Sequence, residues 1–119
     1  TYSGHPLACA AALATLDVYR DEGIFDHVAE ILPVWEDMLH SLKGAPGVMD
    51  IRNSGLLGAI QFEQNGAVGA AGRAAYEKLW DKGLSVRPIG DSLAMSPPLT
   101  LTEGEIAEIG GILDSVLRG

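Results

Sequence analysis

Apolar residues recur at helical spacing in the middle of the chain, and this is the clearest pattern in the sequence. They predict a core-facing helix over about residues 25–42, with a stripe formed by Ile24, Val28, Ile31, Leu32, Trp35, Leu39 and Leu42. Pro33 lies inside this stretch. Because proline lacks an amide N–H and crowds the carbonyl four residues before it, we expect the helix to kink or to divide there.

Three further helices are predicted from similar patterns. One covers about residues 6–22 and another covers residues 71–82, and each is followed by a glycine, which readily takes the left-handed conformation that ends a helix. The last helix begins at Thr102, because Thr102 and Glu105 have the spacing of a capping box. Its apolar side is formed by Ile106, Ile109, Leu113, Val116 and Leu117.

Short segments between these helices are rich in β-forming residues and are bounded by turn-forming ones. Residues 48–52 and 56–63 predict a β-hairpin around Asn53-Ser54-Gly55, and residues 84–87 and 93–96 predict a second pair of strands. The order of elements favours an α+β domain, with a small antiparallel sheet of three to four short strands and helices packed on one face. A long helix of small residues precedes it.

The first helix is small on almost every face of its first half, where it carries Ala8, Ala10, Ala11, Ala12 and Ala14. Such a helix allows another backbone to approach closely, so we expect its neighbour to be another part of a larger protein or a second subunit. Cys9 is expected to pack in the interior, as free cysteines commonly do. A lone cysteine permits no intrachain disulfide and agrees with a cytoplasmic location.

The charge balance limits the kinds of partner. The 119 residues include sixteen acidic and eight basic ones, a net charge of -8, and no basic cluster occurs. A nucleic-acid partner would require a basic face, so we expect none. No apolar run reaches the roughly 18 residues that a membrane span needs, so we expect no membrane partner. The length suits one domain, and no internal boundary is visible.

The opening segment, Thr1-Tyr2-Ser3-Gly4-His5-Pro6, brings hydroxyls, a glycine and a proline to the start of a helix. The first N–H groups of a helix have no partner within it and lie at the positive end of the helix dipole, so this segment is suited to hold an anion such as phosphate. The alternative is that Ser3 or His5 simply caps the helix.

Arg87 is the most informative charged residue, because it lies at the end of a predicted strand. A guanidinium on a rigid strand can bind a carboxylate through two parallel hydrogen bonds. The alternative is a structural ion pair with Asp91 across the following turn, and the sequence leaves both open. Asp50 and Arg52 are expected to form a surface pair of little energetic weight.

The remaining candidate groups point to no further chemistry. His27 and His40 occur singly on the polar side of a helix and are expected to be solvated. No spacing typical of metal ligands and no Ser-His-Asp arrangement is present, so we expect no metal site. Lys43, Lys78 and Lys82 lie at helix ends or in polar stretches, and none is expected to be a desolvated amine suited to Schiff-base formation.

Several stretches together resemble the class III, pyridoxal-phosphate-dependent aminotransferases, in the same order. They are Thr1 to Ala14, Val48-x-Asp50-Ile51-Arg52-x-x-Gly55-Leu56, Gly83 to Asp91, Ser96-Pro97-Pro98-Leu99, and Glu105-Ile106 with the final helix. The resemblance spans essentially the whole chain and is nearest to the omega-amino acid:pyruvate branch. It implies the C-terminal small domain of a fold type I aminotransferase. Residues 1–119 would be one C-terminal domain, with 1–22 as the helix connecting to a large domain and 23–119 as the small domain.

The resemblance also implies roles for individual residues. Thr1 would bind the phosphate of pyridoxal 5′-phosphate in the neighbouring subunit of a homodimer, and Tyr2 and Ser3 would lie beside that phosphate. Arg87 would bind the substrate carboxylate and swing aside for an uncharged amine. The reaction would transfer an amino group from an omega-amino acid or amine to a keto acid such as pyruvate.

The same resemblance implies which parts of the active site are missing. The family's Schiff-base lysine, its pyridine-pairing aspartate and its glycine-rich phosphate loop would lie upstream, in a larger polypeptide of which this chain is the end. No catalytic residue is therefore assigned here, and we expect the chain alone to be inactive.

Two alternatives stay open. One is a different reaction in the same fold family, by an aminomutase or a decarboxylating aminotransferase. The other is a free-standing α+β module that binds a small carboxylate through Arg87. An independent module should carry a polar face on its first helix, whereas this helix is small and apolar most of the way round.

Overall fold

The computed structural model describes residues 3–119. Its elements, in chain order, are α1 (Pro6–Asp21), α2 (Ile24–Ser41), β1 (Val48–Ser54), β2 (Leu57–Phe62), α3 (Ala70–Asp81), β3 (Arg87–Ile89), β4 (Ser92–Met95) and α4 (Glu103–Leu117). The strands form one antiparallel sheet in the order β1-β2-β4-β3. The predicted α+β fold with a small antiparallel sheet is therefore confirmed.

The sheet buries one face against the helices. Ile51, Ile60 and Leu93 lie opposite one another on β1, β2 and β4 and are 3%, 0% and 0% exposed. The helices cover them with side chains that include Ile31, Trp35 and Leu39 from α2, Leu79 from α3, and Ile106, Leu113 and Leu117 from α4. Since successive strand residues point to opposite faces, the residues between the buried ones face away from this core.

Strand β2 comes very close to α2 at Gly58. A Cβ atom at that position would lie 2.8 Å from Cδ1 of Leu39 and 3.5 Å from the ring of Trp35. The small residues Gly58 and Ala59 indicate that another element can lie close to this strand. In the structure, side chains of α2 occupy the space beside Gly58. A side chain at this position would require Leu39 to shift within the packed core.

Helix α2 does not divide at Pro33, which corrects one of the two outcomes expected from the sequence. It is a single helix of 18 residues with Pro33 inside it. Pro33 is exposed, so its missing N–H weakens the side of the helix that faces solvent. The opposite side is held by the burial of Trp35 and Leu39, and such tertiary packing supplies most of the stability of a helix in a protein.

Strand β3 lies three residues later than predicted. Leu84 is not free to begin a strand, because its N–H bonds to the carbonyl of Leu79 at 2.9 Å and helps to close α3 around Gly83. The strand instead runs through Pro88, which the sequence places in a turn. An edge strand tolerates proline, since only one side of it needs hydrogen bonds, and β3 pairs with β4 alone in this sheet.

The start of α4 is the predicted capping box. The N–H of Glu105 bonds to the hydroxyl of Thr102 at 3.3 Å, while the Glu105 carboxylate accepts from the Thr102 N–H and hydroxyl, each at 2.8 Å. The hydrogen bonds that the Glu105 carboxylate accepts lower its pKa from the usual value. The bond from the Thr102 backbone N–H has the larger effect, and the bond from the Thr102 hydroxyl has the smaller one. The cap therefore depends on the charge of this carboxylate.

We predict that Thr102→Ala lowers the free energy of unfolding by about 1 kcal/mol at neutral pH, because it removes a cap.

Glu105→Gln should also destabilise at neutral pH. A carboxyl with a lowered folded pKa stabilises the fold above its unfolded pKa, and this stability is lost as pH falls through the folded pKa. Urea unfolding should therefore show the loss in Glu105→Gln at pH 7, and the difference between wild type and variant should shrink progressively as the pH falls below the unfolded pKa of a glutamate, about 4.3.

Glu103→Gln is the matched control, because Glu103 lies in the same first turn of α4 but makes none of these bonds. A pH-independent difference between wild type and Glu105→Gln would contradict the assignment.

Candidate functional site

Arg87 is the first residue of β3, and the strand register shows which face it occupies. It lies opposite Ala94 of β4, Ala94 lies opposite Ala59 of β2, and Ala59 lies opposite Arg52 of β1. Directly opposed residues share a face of the sheet. These four residues, the arginine row, therefore cross the face that points away from the core, with an arginine at each end and alanines between.

The two arginines of the row differ in their partners. The Nη1 atom of Arg52 donates to Asp50 Oδ2 and to Gln61 Oε1, both at 3.0 Å, so the predicted surface pair of Asp50 and Arg52 is confirmed. Arg87 is exposed and has no ion-pair partner among residues 3–119. Within this part of the chain, its guanidinium is available to a ligand.

Asp91 does not pair with Arg87, so the structural alternative for this arginine is wrong. Its carboxylate instead accepts from the backbone N–H of Gly69 at 3.0 Å, through Oδ2, and from that of Ala71 at 3.1 Å, through Oδ1. The physical reason is that α3 begins after Gly69, which has no side chain with which to cap it, and that its first turn carries no acidic residue. The carboxylate from the β3–β4 turn supplies this cap.

An open cavity of about 440 Å³ lies at the β3 edge of the sheet, where core-side residues of α2 and α4 meet the strand that carries Arg87. Arg87 is the one charged residue in its lining, within the part of the chain that is described. Ser85 and Ser96 add hydroxyls, and the other lining residues are Trp35, Leu84, Val86, Ala94, Met95, Pro97, Pro98, Leu101 and Ile109. A concave apolar site with a single cation suits a small molecule that carries one carboxylate and a short apolar body.

A second cavity, of about 480 Å³, is lined by none of the described residues that are predicted to bind cofactor or substrate. Its lining includes Lys78 and Arg118 together with Glu63, so it presents charges of both signs. Nothing in this mixture selects a carboxylate, and the cavity beside Arg87 remains the better candidate.

The predicted phosphate cradle is described only in part. Thr1 and Tyr2 lie outside the described residues, and Ser3 is an exposed residue at a bend before α1. Ser3 does not line the cavity beside Arg87, so the structure of this chain does not bring the two predicted groups together. Their assignments stay predictions.

The start of α1 is compatible with an anion. His5 occupies the N-cap position without a capping hydrogen bond from its side chain, and the first turn carries no acidic residue. The simple alternative, in which Ser3 or His5 caps the helix, thus has no support at His5. The helix presents unpaired N–H groups and the positive end of its dipole, as a bound phosphate would require.

Cys9 is exposed, and the expectation that it packs in the interior is wrong for this chain. The reason is that α1 has no buried residue at all, so no core exists around it. Leu7, Leu13 and Leu16 of the same helix are 77%, 65% and 61% exposed. The small residues of α1 do indicate a helix that another backbone can approach closely. Residues 3–119, however, do not form the core in which Cys9 is expected to pack.

The two helix histidines are less solvated than the sequence suggests. His27 bonds through Nε2 to the carbonyl of Leu101 at 2.9 Å, and His40 bonds through Nε2 to Asn53 Oδ1 at 3.0 Å. Asn53 also donates to Glu36 at 2.8 Å, so a polar network joins α2 to β1. No local signal predicts it, because it depends on how the hairpin packs against the helix.

The three lysines, Lys43, Lys78 and Lys82, are all exposed, and none is a desolvated amine. No group of three or more metal-ligating side chains occurs within residues 3–119, nor does any helix there combine the length and apolarity needed to cross a bilayer. The arginine row and the cavity are therefore the features that define the chemistry of the described chain.

The fold is shared with enzymes of known structure. An adenosylmethionine-8-amino-7-oxononanoate aminotransferase from Methanocaldococcus jannaschii is similar to it with a TM-score of 0.88 and 31% identity, over 99% of this chain and 30% of that one. The class of protein defined by this fold is the fold type I aminotransferases.

The sequence comparison identifies the family. Residues 1–117 match the Aminotransferase class-III family, and the chain belongs to it. An omega-aminotransferase from Caulobacter vibrioides is 46% identical over 107 residues, which are 89% of this chain and 24% of that protein. An omega-amino acid–pyruvate aminotransferase from Pseudomonas putida is also 46% identical, over 99% of this chain and 26% of that protein. The chain thus spans about a quarter of the length of these curated relatives.

Proposed function

We propose that this chain is the C-terminal part of an aminotransferase that moves an amino group from an omega-amino acid or amine to a keto acid such as pyruvate. Pyridoxal 5′-phosphate, the cofactor of the family, would serve as the electron sink and carrier of the amino group. Family membership over residues 1–117 supports the class of reaction, and the activities named for the Caulobacter vibrioides and Pseudomonas putida relatives support the class of substrate.

The observation that carries the proposal is the position of Arg87. It is exposed, has no ion-pair partner within residues 3–119, and is the only charge in the described lining of a cavity of about 440 Å³. An omega-amino acid and a keto acid share a carboxylate at one end, and a guanidinium on an edge strand can bind either through two hydrogen bonds. One residue can therefore position both substrates of the exchange.

The chain's own residues fit one part of the cofactor. The uncapped start of α1, preceded by exposed Ser3 and by Gly4 with φ of +70°, suits a phosphate. Thr1 is proposed to bind the phosphate of the cofactor in the neighbouring subunit of a homodimer, with Tyr2 and Ser3 beside that phosphate. The exposed lysines do not suit covalent attachment. We therefore propose that the reactive amine comes from a large domain outside this chain.

Helix α1 is proposed to connect the two domains, as residues 1–22, while residues 23–119 form the small domain. Its support is the complete lack of buried residues in α1, although Leu7, Leu13 and Leu16 are apolar. Unpartnered apolar side chains on one helix indicate a surface that another part of the protein covers. The same feature disfavours a free-standing carboxylate-binding module. A cytoplasmic location remains part of the proposal.

The role of Arg87 is tested in a chimera, in which residues 1–119 replace the segment they match in the Pseudomonas putida relative. Arg87→Ala should lower kcat/KM for the keto-acid half-reaction on the order of 100-fold, because a charge-assisted bidentate contact is lost. The half-reaction of an amine donor that has no carboxylate should change by less than about threefold, since it makes no use of that contact.

Arg52→Ala is the matched control, because Arg52 lies in the same row but is bound to Asp50 and Gln61. Equal losses in both half-reactions of Arg87→Ala, or a loss in Arg52→Ala as large as in Arg87→Ala, would contradict the assignment.

The inactivity of the chain alone is a separate prediction. Residues 1–119, titrated with pyridoxal phosphate at micromolar concentrations, should give no saturable absorption band of a bound cofactor and no transamination, because their lysines are exposed. The chimera described above, titrated in parallel, should give such a band. A saturable band in the isolated chain that disappears on borohydride reduction would overturn this expectation.

The covering of α1 is tested at Cys9. Its thiol is exposed in residues 3–119, so a maleimide should label it rapidly in the isolated chain. In the chimera, where the proposed large domain covers the helix, labelling should be at least about tenfold slower. Equal labelling rates in the two proteins would show that Cys9 is not covered.

A further inference from the structure

Arg87 lies within a stretch of chain whose two ends are joined. The stretch begins at the start of α3, passes along the helix and through Gly83 to β3, and returns at the β3–β4 turn to the start of α3. The joint is the side chain of Asp91, which bonds to the N–H groups of Gly69 and Ala71. We call the contact between this turn and the start of α3 the turn clasp.

Two further contacts make the turn clasp tight. Gly72 is buried in α3, and a Cβ atom there would collide with the backbone oxygen of Gly90 and lie 3.1 Å from the nitrogen of Ser92. The carbonyl of Asp91 accepts from the N–H of Phe62 at 2.8 Å. The turn is thus fixed from both sides, by α3 and by the end of β2.

Apart from the turn clasp, strand β3 is held by its pairing with β4 and by contacts with α3. It is three residues long, lies at the edge of the sheet and contains Pro88, which has no N–H to donate to the ladder. All three residues are exposed. The direction of β3, and with it the position of Arg87, therefore depends on the pairing with β4, on the packing against α3, and on the turn that joins β3 to β4 and binds to α3.

We infer that Asp91 is a positioning residue for Arg87: by capping α3 from the β3–β4 turn, it fixes the edge strand from which Arg87 reaches a substrate carboxylate. This inference rests on the proposed function, in which Arg87 binds that carboxylate. The Asp91 carboxylate makes no hydrogen bond to Arg87, and Asp91 does not line the cavity. Both of its oxygens are used, so asparagine, which keeps only one acceptor oxygen, would leave one N–H unpaired.

The first test measures the kinetics of the chimera. Asp91→Asn should raise KM for the keto acid about tenfold, because a misplaced binding group weakens productive binding. It should leave kcat, and the half-reaction of an amine without a carboxylate, within about twofold. Gly72→Ala, which disturbs the same clasp from the helix side, should give the same selective change. Equal losses for both substrate types, or no change in either variant, would overturn the inference.

Two controls match these variants. Asp81→Asn removes an exposed carboxylate that makes no hydrogen bond within residues 3–119 but belongs to the same helix. Gly111→Ala adds a methyl group to a helical glycine whose Cβ would meet nothing within 4 Å. Both should keep the keto-acid KM of wild type, and a tenfold rise in either control would count against a specific role of the clasp.

A second readout separates this inference from the proposed function. In the same chimera, amide hydrogen exchange over residues 87–92 should be at least about tenfold faster in Asp91→Asn than in wild type, while exchange in the β1–β2 hairpin stays unchanged. Unchanged exchange over 87–92 would refute the clasp whatever the activity shows. Faster exchange combined with an Arg87→Ala variant that keeps its preference for carboxylates would support the clasp and refute the function proposed for Arg87.

Discussion

The structure depends on the burial of only one face of its sheet. Ile60 and Leu93, at the centre of β2 and β4, are completely buried, and Trp35 and Leu39 of α2 and Leu113 of α4 belong to the same core. Strand geometry then requires that the neighbours of Ile60 and Leu93 point the other way. Ala59 and Ala94 are those neighbours, and the arginine row crosses the sheet through them. The position of Arg87 on an open face is thus a consequence of how the core is packed.

The two arginines on this open face differ in their chemistry because their neighbouring polar groups differ. Arg52 lies on β1 with Asp50 two residues before it and Gln61 on the adjacent strand, so its charge is satisfied locally. Arg87 lies on the opposite edge, where the neighbouring carboxylate of Asp91 is already bound to α3. Because the carboxylate nearest in sequence caps a helix, the guanidinium is left for a ligand. Within residues 3–119, this short edge strand therefore carries a cation without an ion-pair partner and is followed by a fixed turn.

Much of the fold could be predicted from periodicity and local turn chemistry. The stripe on α2, the capping box at Thr102 and the hairpin near Gly55 are local signals, and each appears in the structure within a few residues of its predicted place. The displaced strand β3 could not be predicted this way, because Pro88 is acceptable only if the strand lies at an edge, which is a property of the sheet order.

The candidate site could be predicted less completely. The sequence indicates Arg87 as a carboxylate receptor but leaves Asp91 as its possible partner, and only the packing of α3 against the turn decides between them. The interior expected around Cys9 is not formed by residues 3–119, because α1 contacts too little of the rest of the fold to bury any of its residues. Residues whose roles depend on distant elements, such as His40 and Asn53, give no signal in their own neighbourhood.

The most direct measurement is a crystal structure of the chimera with a bound omega-amino acid or keto acid. It should show the carboxylate of the ligand in the cavity beside Arg87, with both oxygens about 2.8 Å from its guanidinium nitrogens. A ligand carboxylate bound by other groups, with Arg87 directed into solvent or paired with a carboxylate of the protein, would contradict the central claim.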